Sequence, residues 1–202
     1  MIKYLIVAII ILISSIGHST TVPQIRITKL YQQADVVAIV RIESGETING
    51  TNFPCGAKYQ GKVINSLKNS KVNQLIEFGY YFGHGIGNEY IVFLNKKHNV
   101  YSPLASTNSG LMDSQAQFDR ECYSKHPELV VMHSGFGMRE LQYHGESKSN
   151  YAFLIPTNYL SLPKDTEYTE PKKSECDTFD ECKWVDKEAM LILLPNSSDK
   201  LK

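Results

Sequence analysis

The stretch that most constrains this chain is "GNEYIVFL", residues 87–94, in which a Gly-Asn turn and Glu89 lead into Tyr90, Ile91, Val92, Phe93 and Leu94, a run with no polar interruption. The run is too short for a helix buried all round, and its β-branched and aromatic side chains suit a strand. A strand with one face in water would alternate apolar with polar residues. This one does not, so both of its faces must be covered. The requirement is met by a strand of a small closed barrel, with the interior on one side and flanking helices on the other, and Phe93 is expected among the barrel-core side chains.

Neighbouring segments repeat the pattern. "DVVAIVRIES" begins apolar on both faces and turns polar at Arg41 and Glu43. "KYQGKVINSL" returns to extended structure, and "NQLIEFGYYF" alternates Ile76, Phe78, Tyr80 and Phe82 with Leu75, Glu77 and Gly79. Gly79 inside a strand predicts a bulge or sharp bend. With "EYIVFL" and "VYSPL" these make five extended segments between residues 35 and 104, separated by turn chemistry at 44–56, 83–88 and 95–99, as in a small antiparallel barrel. Ahead of them, Ile27, Leu30, Tyr31 and Ala34 share one helical face, which predicts a short helix over 25–33.

Beyond residue 105 the texture becomes more polar. A surface helix is expected over 114–125, short strands in "ELVVMH", "MRELQYHG" and "YAFLIPTNYLSLP", and a closing helix in "WVDKEAMLILL" capped at Asp186. The fold class is therefore mainly β with flanking helices. A five-stranded barrel with a short N-terminal helix is expected over 20–105, and a C-terminal α+β extension with helices, short strands and a disulfide loop over 106–202.

The first residues, "MIKYLIVAIIILISSIGHST", have the form of a signal peptide over 1–19, with Gly17 and Ser19 suiting a cut after Ser19. The apolar stretch is shorter than the roughly 20 residues a spanning helix needs, so no stable membrane insertion is expected after cleavage. Export makes disulfides the default for Cys55, Cys122, Cys176 and Cys182. Of three connectivities, the spacing favours Cys176 with Cys182 as a small local loop, which leaves Cys55 with Cys122 as a long-range tie. Zinc is disfavoured because CxxC spacing is absent and no histidine sits near Cys176 or Cys182. The chain carries 21 basic and 21 acidic side chains, which gives no pull toward nucleic acid or an anionic membrane.

Three segments carry a resemblance: Ala34-Asp35 before "VVAIVRI", the tyrosine-led strand from Tyr59 to Lys68, and the Gly-x-x-Tyr-hydrophobic-Phe-Leu strand from Gly87 to Leu94. Together they resemble the barrel of tissue inhibitors of metalloproteinases and netrin-like modules, and of secreted bacterial proteins built on the same oligonucleotide/oligosaccharide-binding (OB) fold. The match spans about residues 34–95 and consists mostly of core positions, so it implies fold more than function. Those inhibitors chelate the protease zinc through a mature N-terminal cysteine. Here no cysteine precedes Cys55, so that wedge is missing and is not carried over.

Catalytic chemistry has little support. Histidines 84, 98, 126, 133 and 144 form no HExxH or HxH pattern and read as isolated turn or surface residues. His133 beside Ser134 lacks a GxSxG elbow. "GHGIG" at 83–87 lacks the lysine of a phosphate loop and reads as a hairpin connection. Glu175, Asp177, Asp180 and Glu181 lack EF-hand spacing and read as a solvated loop. The residual signal is aromatic, because Tyr80, Tyr81 and Phe82 are consecutive and at least one must face outward. The sequence thus predicts a secreted or periplasmic, non-catalytic module that binds a protein partner at the envelope or outside the cell, with Tyr80, Tyr81 and His84 as candidate contacts and no metal or cofactor. The competing reading is a secreted hydrolase or metal-binding protein using His133 and Ser134.

Overall fold

The computed structural model describes residues 24–51, 54–80, 82–97, 122–133, 136–176 and 181–196. A two-residue strand β1 (Ile25–Arg26) leads into helix α1 (Ile27–Gln33), then β2 (Val36–Asn49), β3 (Pro54–Lys68), β4 (Leu75–Tyr80) and β5 (Glu89–Lys96). A 3-10 turn (Tyr123–Lys125) precedes β6 (Leu129–Val131), β7 (Met138–Tyr143), β8 (Tyr151–Pro156) and β9 (Leu160–Ser161). The described chain ends with β10 (Cys182–Asp186) and α2 (Lys187–Asn196).

Five of these strands close on themselves. β2 pairs antiparallel with β3 and β5, β3 with β4, β4 runs parallel to β6, and β6 returns antiparallel to β5. Taken in chain order, the strands connect 1-2-3-5-4 and back to 1, the ring of an OB barrel. The expected fifth strand at 100–104 lies outside the described residues. The closing strand is instead β6, from the "ELVV" segment beyond the residue-105 boundary. The long β2–β3 pair carries register shifts after Val37, Ile39, Ile42 and Ile48, which let 14- and 15-residue strands coil around the barrel.

Gly79 is not the bulge expected of it, since its register with β3 is unbroken. It is a point of close approach, where an added Cβ would lie 2.9 Å from the Ala57 carbonyl oxygen and 3.0 Å from the Pro127 ring. β7, β8 and β10 extend the sheet away from the barrel as β5–β7–β8–β10, while β1 and β9 pair in parallel as a separate two-stranded sheet. β5 therefore has two partners along one edge: β7 at Tyr90–Val92 and β6 at Leu94–Lys96.

Two apolar cores result, separated by the sheet. Inside the barrel lie Ala38, Val40, Ile42, Tyr59, Val63, Ile76, Phe78, Tyr90, Val92, Leu94 and Met138. On the outer face Val37, Ile39, Ile91 and Phe93 pack with Phe153, Ile155 and Val185 under α1 and α2. This accounts for the unbroken run in β5, whose alternate side chains enter different cores. Phe93, expected in the barrel core, belongs to the outer one.

Local chemistry fixes the helices. Ile27, Leu30 and Tyr31 form the buried face of α1, and Lys68 Nζ donates to the Tyr31 and Gln32 carbonyls at its C-terminal end. Ala34 is buried at the start of β2, and the Asp35 carboxylate accepts from the Lys96 amide at 2.7 Å. The Ala-Asp pair therefore ties the first barrel strand to the end of β5. Asp186 caps α2, its Oδ1 accepting from the Glu188 amide at 2.8 Å and the Ala189 amide at 3.3 Å.

Both disulfides form as the spacing favoured. Cys55–Cys122 joins β3 to the segment before β6 across 67 residues, with Ile48 packed beside it, and Cys176–Cys182 closes a loop at the start of β10. Of the helix expected over 114–125, residues 114–121 lie outside the described residues, and the remainder forms the 3-10 turn. Among the described residues no helix is long and apolar enough to cross a membrane.

Candidate functional site: the groove at the barrel mouth

The β4–β5 connection folds onto one end of the barrel and is held there by two core tyrosines. The Tyr90 hydroxyl accepts from the Gly85 amide at 2.9 Å, and the Tyr59 hydroxyl accepts from the His84 amide at 3.5 Å. The His84 ring lies edge-on to both, 5.5 Å from Tyr59 and 5.1 Å from Tyr90 between centroids. Burial, with the Arg139 charge as a smaller contribution, holds the His84 imidazole below its ordinary pKa. Glycines with φ of +92° at Gly83 and +87° at Gly87 let the connection turn tightly on either side. The turn read as a bare hairpin connection is thus an anchored plug.

Beside the plug a groove of about 520 Å³ runs onto the extension sheet. Strand pairing explains its lining: Tyr90 opposes Glu140, and Leu154 opposes Trp184. These four line the groove together with His84 and His144. The His144 ring stacks on Trp184 at 4.8 Å, and its buried Nδ1 has no hydrogen-bond partner among the described residues. Trp184 Nε1 donates to Glu175 at 2.9 Å, and this bond, with the Lys172 amide, holds the Glu175 carboxyl below the usual carboxylate range. Asn88 Nδ2 donates to Glu140 at 2.6 Å, bracing the loop against β7. On the loop itself, either side of the anchored 83–85 segment and outside the groove lining, Phe82 and Ile86 stand 48% and 65% exposed and form an apolar lip.

The sequence-derived candidates fare differently. His84 sits at the centre of the site, Tyr80 contributes its backbone to β4, and Tyr81 lies outside the described residues. His133 is exposed at φ +47°, its carbonyl accepting the turn bond from Phe136, and Ser134 lies outside the described residues. Of the acidic cluster, Glu175 serves Trp184, Glu181 is exposed, and Asp177 and Asp180 lie outside the described residues. Among the described residues no three His, Cys, Asp or Glu side chains come together as a metal site. Glu140, His144 and Trp184 were not singled out for this site. Only the pairing of β7, β8 and β10 brings them to the barrel mouth, and no local motif marks that pairing. No family model, curated protein or solved structure matches the chain.

Proposed function

We propose that this chain is a non-catalytic binding module, secreted or periplasmic, that engages a protein partner through the barrel-mouth groove. The observation that carries this reading is the lip, where two large apolar side chains, Phe82 and Ile86, project into solvent from a loop whose backbone is pinned at Gly85 and His84. Exposed apolar groups on an anchored loop bind with little loss of conformational freedom, and the groove that Gly83 and His84 of the same loop help to line adds the aromatic faces of Tyr90 and Trp184. The signal-like N-terminus and two disulfides support an oxidising compartment. The resemblance to netrin-like and metalloproteinase-inhibitor barrels agrees with a binding role, by a route other than an N-terminal cysteine.

Site-specific photocrosslinking in cells that express the protein tests this. A crosslinking side chain at Phe82 or Ile86 should capture a discrete protein species. The same group at Val72, which is also exposed but lies in the β3–β4 hairpin, should not. Equal capture at all three positions, or turnover in an esterase and peptidase screen of the purified protein, would overturn the reading.

A further inference from the structure

A second concavity of about 520 Å³ lies along the edge of the extension, between the β7–β8 hairpin, the 165–169 segment and the first turns of α2. Its walls carry five carboxylates, Glu146, Asp165, Glu167, Asp186 and Glu188, against the single ammonium of Lys148. Lys148 is paired with Glu167, and Asp186 is engaged by Ser149 and the start of α2. That leaves Glu146, Asp165 and Glu188 without an ion pair to any described residue.

The floor is apolar, made by Trp184, Ala189, Leu193 and the 63%-exposed Ile192. Ser147, Thr166, Tyr168 and Thr169 bring hydroxyls to the lining. Thr166 is only 8% exposed, and neither its Oγ1 nor the buried Ser147 Oγ has a hydrogen-bond partner among the described residues. An unmade buried hydrogen bond is a liability that a ligand entering the groove would remove. The protein already shows how a cation sits nearby: Lys183 Nζ lies 3.4 Å from the Tyr168 ring centroid and 3.6 Å from Glu170.

We propose that this groove takes a basic peptide segment of a partner protein. A lysine or arginine head group sits among Glu146, Asp165 and Glu188, the Ser147 and Thr166 hydroxyls meet the segment's polar atoms, and apolar neighbours rest on Ile192 and Leu193. A small metal ion is the poorer occupant, because the described carboxylates do not converge as a coordination set and an apolar floor offers an ion nothing. A lysine stem uses that floor. The proposal does not depend on the barrel-mouth reading.

Fluorescence anisotropy tests it on the purified full chain, with a labelled peptide of alternating leucine and lysine as the probe and alternating leucine-glutamate and serine-lysine peptides as controls. The leucine-lysine peptide should bind best, and more weakly as salt rises. Combining Asp165→Lys with Glu188→Lys should weaken it by about tenfold or more. Thr166→Val should weaken binding while leaving the unfolding midpoint unchanged or higher, which a merely structural hydroxyl would not do. Ile86→Asp, at the other groove, should have no effect. Equal binding of the glutamate peptide, insensitivity to the charge reversals, or calorimetric saturation of the same carboxylates by calcium chloride alone would overturn the proposal.

Discussion

His84 is where a single residue bears most on both fold and function. Its ring makes edge contacts with Tyr59 and Tyr90, while the backbone amides at 84 and 85 satisfy those tyrosines' hydroxyls. Aromatic edge contacts contribute about 0.5–1.5 kcal/mol each beyond burial, so losing both in His84→Ala should lower stability by about 1–3 kcal/mol. The sequence reading, which took the turn as a connection only, expects less than about 0.5 kcal/mol. Urea denaturation distinguishes the two, and a change below that limit would mean that the loop is held by its backbone alone. The residue itself was legible as a candidate because it sits in a glycine-flanked turn beside aromatics. Its two ring partners were not, being 25 positions upstream and six downstream on different strands.

Among the elements, β5 is the decisive one, and its sequence announced that both faces would be covered. That alternate side chains would enter two cores was readable from the unbroken run, but which set enters which was not: Tyr90, Val92 and Leu94 point into the barrel, while Phe93, expected there, faces the helices with Ile91. The fork on the strand's edge was not readable either. There Phe93 donates to the Gly137 carbonyl at 2.7 Å, Met132 donates to the Phe93 carbonyl, and Gly137 donates to the Met132 carbonyl, so that the chain leaves β6 and begins β7 within a few residues. A Cβ on Gly137 would stand 2.9 Å from the Met132 carbonyl oxygen and 3.1 Å from both the Met132 amide nitrogen and the Phe93 carbonyl oxygen. All three are backbone atoms of the fork and cannot simply rotate away. Gly137→Ala should therefore cost about 1–3 kcal/mol, as overpacking does, and lower the guanidinium midpoint without changing the slope. A neutral result would show the fork to be loose. Closure by β6 escaped the sequence for a related reason: a three-residue strand in parallel register with β4 leaves no local periodicity to read.

For the whole molecule, burial of neutral imidazoles sets the response to acid. Burial, with the nearby Lys97 charge, lowers the His126 pKa from 6.5 to about 4, and His84 is also lowered, chiefly by burial. Between the two His126 values the unfolded chain binds a proton that the folded chain refuses. The stabilisation is therefore complete above pH 6.5 and is lost as pH falls toward 4. At about 1.4 kcal/mol per pKa unit, His126 alone accounts for a loss on the order of 2–3 kcal/mol. The depressed carboxyls of Glu175 and Asp186 extend the loss to lower pH, because their contribution disappears as they protonate. Denaturation between pH 7 and 4.5 should show falling stability, with a flatter slope in His126→Gln. A profile level across that range would contradict the assignment.

The central claim is that an OB barrel presents an anchored, apolar-lipped loop to a protein partner, and it is tested most directly by affinity rather than stability. The measurement is the dissociation constant of the protein captured at the lip, determined for the wild type, Phe82→Ser, Ile86→Asp and Val72→Asp, with each variant's unfolding midpoint recorded alongside. The two lip substitutions should weaken binding by about tenfold or more while their midpoints stay close to wild type, and Val72→Asp should change neither. Undiminished affinity in both lip variants, or a loss of binding that follows stability in all three, would contradict it.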